Sequence, residues 1–112
     1  MPTPPSERAV RIAENETRFR DINHRLAEDL EPLVAAAEPI GFVCECGHPD
    51  CTAELRLPLD DYRRVRADPI HFAVLPDHEI KDVEDVVERN DGFLVVRKHE
   101  PTRPIAERTD PT

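Results

Sequence analysis

The sequence predicts an α+β fold: a long N-terminal helix followed by a small domain of about three short strands and two helices. Three observations carry this expectation. Apolar residues recur at helical spacing over residues 8–30, they alternate in two later stretches, and a third stretch is continuously apolar.

Residues 1–5 hold three prolines and read as a loose arm. Ser6 is placed to cap the helix that follows. Within that helix Ile12, Phe19, Leu26 and Leu33 fall at seven-residue spacing, and Ile22 and Leu30 widen the stripe. Asn15 sits where another apolar residue is expected. Pro32 marks the helix end, and Pro39 with Gly41 marks a break. Leu55, Leu57 and Leu59 alternate with polar residues and predict a strand, with Pro58 placing its end at a sheet edge. Residues 60–67 read as a short helix around Tyr62, Val65 and Arg66, stopped by Asp68-Pro69. Ile70, Phe72 and Val74 alternate with His71 and Ala73, which predicts a second strand. After the Pro76-Asp77 turn, residues 79–89 carry Ile80, Val83, Val86 and Val87 and are expected to be helical. Asn90-Asp91-Gly92 is a turn signal. Phe93 to Val96 is the most apolar stretch and the expected best-buried strand. The polar, Pro-rich end is expected to be irregular.

Composition narrows the function classes. Charged residues are 35% of the 112 and aromatics 4%, so the core is thin and calls for a staple such as a metal. Acids outnumber bases 24 to 15, which argues against a nucleic-acid binder, whose affinity rests on a basic face. Arg8, Arg11, Arg18, Arg20 and Arg25 share one segment, but Glu7, Glu14, Glu16 and Asp21 sit among them, as on a solvated mixed-charge helix. No apolar run reaches the roughly 20 residues needed to span a bilayer. No secretory signal opens the chain, and the cytoplasm is the expected compartment. Three cysteines clustered within eight residues do not resemble a disulfide framework; in a reducing compartment they point to metal or thiol chemistry.

That cluster, Cys44-Glu45-Cys46-Gly47-His48-Pro49-Asp50-Cys51, is the chemically informative segment. In extended backbone Cys44 and Cys46 point the same way. Gly47 permits a tight turn, and Pro49-Asp50 returns Cys51 towards the first two thiols. Three cysteines and one histidine form a tetrahedral structural zinc set, and one Zn2+ per chain is the expected cofactor. An iron–sulfur cluster is the alternative. His24 and His99 read as surface histidines. His48, His71 and His78 are candidates for the fourth ligand, with His78 the freest to point at the knuckle from its position after the turn. The plan is then a flexible arm over 1–6, an amphipathic helix over 7–38, a zinc-stabilised α+β domain over 39–99 and a flexible tail over 100–112.

The cysteine run, with Leu59, Tyr62 to Arg66, Phe72, Val74, Pro76 and His78-Glu79, resembles a family of small uncharacterised actinobacterial proteins. The similarity covers about residues 8–98, including Asn15-Glu16 and Phe19-Arg20. That family pattern has a variable residue at the position of His48 and a Pro-x-His-Glu turn, so the resemblance implies that Cys44, Cys46, Cys51 and His78 are the ligands. Asp77 stands where many of its members carry glycine. The resemblance implies no activity.

Glu45 and Glu79 flank the expected ligands and read as surface or supporting groups rather than general bases. The zinc-deaminase and H-E-x-x-H patterns are absent, as are a nucleophile elbow, a P-loop and a dinucleotide glycine pattern. The expected function is a zinc-fixed protein-interaction or regulatory module, meeting a protein partner or a second copy through the N-terminal helix. A thiol redox or metal sensor is the alternative. A metal-dependent enzyme and a nucleic-acid module rank below both.

Overall fold

A computed structural model describes residues 4–111. Its elements are helix α1 (Glu7–Leu30), strands β1 (Pro39–Val43) and β2 (Glu54–Pro58), helix α2 (Leu59–Arg66), strands β3 (His71–Val74), β4 (Glu84–Asn90) and β5 (Phe93–Lys98), a 3-10 turn (Glu100–Thr102) and helix α3 (Arg103–Arg108). The class is α+β, as expected, with five strands in place of about three. Residues 1–3 of the expected arm lie outside the described residues, as does residue 112.

Two antiparallel sheets form the body. β1 pairs with β2, and β5 lies between β3 and β4. Phe93 to Val96, the most apolar run, is accordingly the central strand and is buried throughout. The core gathers Phe42, Leu55, Leu57, Tyr62, Val65, Phe72, Val74 and the β5 residues. The rings of Phe42 and Tyr62 stack at 4.4 Å.

Three expectations are corrected. Residues 79–89 are not helical: residues 84–90 form β4, a hairpin arm that turns through Asn90-Asp91-Gly92 into β5. Gly92 takes a φ of 86° at that turn. The helical spacing of Ile80, Val83, Val86 and Val87 misleads: Ile80 and Val83 precede the strand and pack with Ile12, while Val86 pairs with Val96 across the β4–β5 hairpin. A bulge between Val86 and Glu88 leaves Val87 exposed. The C-terminal segment is not irregular either, since residues 103–108 are helical and Ala106 is fully buried. Finally, α1 ends at Leu30, and turns fill much of the stretch expected as helix up to residue 38.

The buried face of α1 also differs from the apolar heptad. Ser6 caps the helix as expected, accepting from the Ala9 amide at 3.1 Å. The buried stripe runs Ile12, Ala13, Glu16, Thr17, Arg20, Asn23, Ala27, while Ile22 and Leu33 are exposed. This stripe is polar because each group meets a fixed partner. Arg20 donates to the Pro69 carbonyl at 2.7 Å, the Ala106 carbonyl at 2.9 Å and the Thr109 hydroxyl at 3.0 Å, and it lies over the Phe72 ring. Burial holds its guanidinium pKa below the ordinary arginine value. Glu16 accepts from Lys98 Nζ at 2.6 Å, and Lys98 also faces Glu84 at 3.6 Å. Glu84 in turn accepts from the Ile80 amide at 3.0 Å. Glu16 and Arg20 are thus joints of the fold, not members of a solvated helix face.

Candidate metal centre

The metal centre is assembled from the loop between β1 and β2 and the turn after β3. β1 leads straight into Cys44, whose amide donates to the Ala53 carbonyl at 3.0 Å and closes the loop onto the start of β2. Cys51 is brought back by a turn in which its amide donates to the His48 carbonyl at 3.1 Å. The Pro76-Asp77 turn delivers His78, whose amide donates to the Leu75 carbonyl at 3.0 Å. Asp77 takes a φ of 70° there, a left-handed conformation that aspartate tolerates better than most side chains.

One ligand atom from each of Cys44, Cys46, Cys51 and His78 lies within 4.8 Å of all the others, a group close enough to hold a metal ion. His78 presents Nδ1, 3.6 Å from Cys44 Sγ and 3.5 Å from Cys51 Sγ. Cys44 and Cys46 are fully buried, whereas Cys51 and His78 are half-buried. An open cavity of about 570 Å³ meets this outer side, lined by Asp50, Cys51, Asp77 and His78 among others.

Backbone amides support the sulfurs. The Leu75 amide donates to Cys44 Sγ at 3.2 Å. The amides of His48 and Ala53 act on Cys46 and Cys51 in the same sense, favouring the thiolate. Without a metal charge other forces dominate. The hydrogen bond that the Cys46 thiol donates to Cys44, and then burial, push Cys46 well up, and burial pushes Cys51 up. Cys46 and Cys51 therefore hold protons that an incoming cation has to displace.

The other histidines fall outside the group. The His48 ring stands perpendicular to His78 with centroids 6.1 Å apart. His71, on β3, faces Asp68 at 3.4 Å, and burial lowers its pKa. His24 pairs with Glu28 and His99 with Asp85.

Of the two sequence readings of Glu45, surface or supporting, the structure bears out the supporting one. Glu45 is fully buried. Its carboxylate accepts from the Tyr62 hydroxyl at 2.5 Å, Asn23 Nδ2 at 2.9 Å and the Ala73 amide at 3.0 Å, and Arg66 lies 3.9 Å away. Its backbone amide also donates to the Ala73 carbonyl at 2.8 Å. The side chain between the first two cysteines thus anchors the knuckle to α1, α2 and the outer edge of β3. The alternation that turns Cys44 and Cys46 one way turns Glu45 the other way, into the body, and that is the signal that could have found it. With the carboxylate so close, the Tyr62 hydroxyl is strongly disfavoured from ionising, first by burial and then by that charge.

The knuckle also docks on α1. Asn15 Nδ2 donates to the Gly47 carbonyl at 3.2 Å, and a Cβ at Gly47 would lie 2.2 Å from Ile12 Cγ2. Asn15, out of place in an apolar heptad, and Gly47 thus both serve this contact.

Fold and site together define a small α+β domain whose four soft and borderline donors converge on one point. Comparison with protein-family models, with curated proteins and with solved structures found no match to this chain. No helix among the described residues is long and apolar enough to cross a membrane.

Proposed function

We propose that Cys44, Cys46, Cys51 and His78 hold one zinc ion per chain, and that the zinc fixes this domain as a protein-interaction module in the cytoplasm. The observation that carries the reading is the separation of the donors. Tetrahedral zinc with Zn–S near 2.3 Å and Zn–N of about 2.0–2.1 Å sets its nitrogen and sulfur ligands roughly 3.5 Å apart. The two His78 Nδ1 to sulfur distances are 3.6 and 3.5 Å. Four protein donors fill a tetrahedron and leave no position for a water, which favours a structural over a catalytic ion. Bound there, zinc supplies charge and cross-linking; Cys44 and Cys46 hold it from the buried side, Cys51 and His78 from the outer side.

The test is elemental analysis of freshly purified, reduced protein. About one zinc per chain is expected, with the metal lost or weakened in His78→Ala. Reduced protein that contains no metal and takes up none on titration with zinc would sink the reading.

One observation favours the sensor reading as a second role. Cys51 is the only half-exposed thiol of the three and borders the open cavity. If it serves as a sensor, dilute hydrogen peroxide releases zinc from wild type far faster than from Cys51→His, which keeps a ligand but not the thiol. Equal release rates would dismiss that role.

A further inference from the structure

The groove between α1 and the zinc knuckle has a composition at odds with the rest of the chain. Arg8, Arg11, Asn15 and Arg18 follow one another at spacings of three and four residues, so they form a single stripe along the helix. Facing them is the knuckle at Gly47 to Pro49. The space between is about 500 Å³, with Ile12 and Ile80 as its apolar floor and Arg8, Arg11, Arg18 and His48 at its rim.

The charges around it do not cancel. Arg8 is committed to Asp82 at 2.5 Å. The side chains of Arg11 and Arg18 make no hydrogen bond or ion pair among the described residues. Glu14 is the only acid lining the groove. With Arg8 paired to Asp82, the three arginines and Glu14 leave the groove one positive charge in excess, in a chain where acids outnumber bases 24 to 15.

We propose that this groove binds an acidic segment of a partner protein, with carboxylates spaced to meet Arg11 and Arg18 and an apolar side chain seated on Ile12 and Ile80. The two arginines are seven residues apart, about 10 Å along the helix axis. That span suits two carboxylates on a short peptide rather than one small anion. A nucleic acid fits less well. Among the described residues no Phe, Tyr or Trp lines the groove to stack a base, His48 being its one ring, and a net charge of −9 opposes a long polyanion more than a peptide with two or three charges. Guanidinium groups meet carboxylates in a planar, two-pronged geometry, which would give the site selectivity beyond simple attraction.

The proposal rests on the zinc reading in one respect: the knuckle is the second wall of the groove. Asn15 holds that wall through the Gly47 carbonyl, next to Cys46. Metal loss would open the groove without touching its arginines, so peptide binding is expected to depend on zinc.

The test is selection of random 12-residue peptides on the zinc-loaded protein, followed by affinity measurement on wild type, Arg11→Glu/Arg18→Glu and Arg11→Gln/Arg18→Gln. Both arginines are exposed and neither is a zinc donor, so zinc content by elemental analysis and far-UV circular dichroism are expected to stay as in wild type. The expected result is enrichment of peptides carrying two or more Asp or Glu residues. Their affinity should fall at least tenfold in the glutamine variant, further in the glutamate variant, and at least tenfold on chelation. No enrichment, enrichment without acidic bias, or equal binding to the variants overturns the proposal while a normal zinc content leaves the metal reading standing. A 20-residue uridine oligonucleotide that binds more tightly than the peptides, and is lost in the same variants, overturns it in favour of nucleic acid.

Discussion

Replacing Lys98 with methionine tests whether the buried charges of α1 hold the fold together. Lys98, Glu16 and Glu84 are all at most 2% exposed, and Lys98 is the only cation among them. Methionine keeps much of the stem volume and removes the charge. Two carboxyls are then left facing one another, with Glu16 Oε2 and Glu84 Oε1 already without hydrogen-bond partners. Removing one partner of a buried ion pair costs about 3–5 kcal/mol. A small domain has a total stability of about 5–15 kcal/mol, so the loss is a large share of the whole. At roughly 4 °C per kcal/mol, the melting temperature should fall by about 12–20 °C.

The assay is urea and thermal unfolding of zinc-saturated protein, followed by far-UV circular dichroism between pH 6.5 and 8.5. The Glu16 carboxyl is held well above its ordinary value of 4.5, first by burial and then by Glu84. A raised native pKa stabilises the fold below the unfolded value, and that contribution is lost as pH rises through the native pKa. Removing Lys98 raises the native value further, so the deficit of Lys98→Met should not shrink with pH, and should grow once pH passes the wild-type value. Glu16→Gln cannot ionise, and its amide can donate to Glu84. It should lie within about 1 kcal/mol of wild type and lose this part of the pH dependence. Combining the two should recover stability relative to Lys98→Met alone, as coupled neighbours do. A Lys98→Met protein within about 1 kcal/mol of wild type, or a deficit that shrinks as pH rises, would refute the reasoning.

Zinc affinity should fall by more than about tenfold for each pH unit between 8 and 6, because more than one raised thiol has to release its proton; competition with a chromophoric chelator reads this. Gly47→Ala should destabilise by about 1–3 kcal/mol in urea unfolding, since its Cβ meets a β-branched side chain and lies 3.3 Å from the backbone of Ile12. Tyr62→Phe should cost about 1.5–3 kcal/mol by the same assay, because it removes a charge-assisted donor from the buried Glu45 carboxylate. An unchanged midpoint in either variant would contradict the packing or the bond that the prediction rests on.

How far the sequence could be read depended on how local each interaction is. The donor set was legible because a two-residue cysteine spacing, a glycine turn and a Pro-Asp return act over eight residues, and the Pro76-Asp77 turn presents His78 by itself. The capping Ser6 and the Asn90-Asp91-Gly92 turn were legible for the same reason. β4 was not, because its partner strand outweighs the helical spacing of its apolar residues. The face of α1 was hidden by chemistry as well as distance. Hydrophobic periodicity looks for apolar residues, whereas Glu16, Arg20, Asn23 and Glu45 are buried because their partners lie between 17 and 89 positions away. The C-terminal helix is pinned by Arg20, and nothing in its own composition announces that.

The position of Arg20 also sets an order of events during synthesis. α1 leaves the ribosome before the elements it packs on, so its inner face is an unsatisfied row of polar and charged groups until Val43, Pro69, Lys98, Ala106 and Thr109 have followed. Docking it earlier would bury a guanidinium and a carboxylate with nothing to receive them. The helix can form alone, yet it has to wait, solvated, while nearly the whole chain is made. The four-donor group, complete once His78 has emerged, can close before then. A nascent chain stalled before residue 98 is therefore expected to bind metal at the four donors with α1 still undocked, which makes residues 98–109 the step that locks this domain.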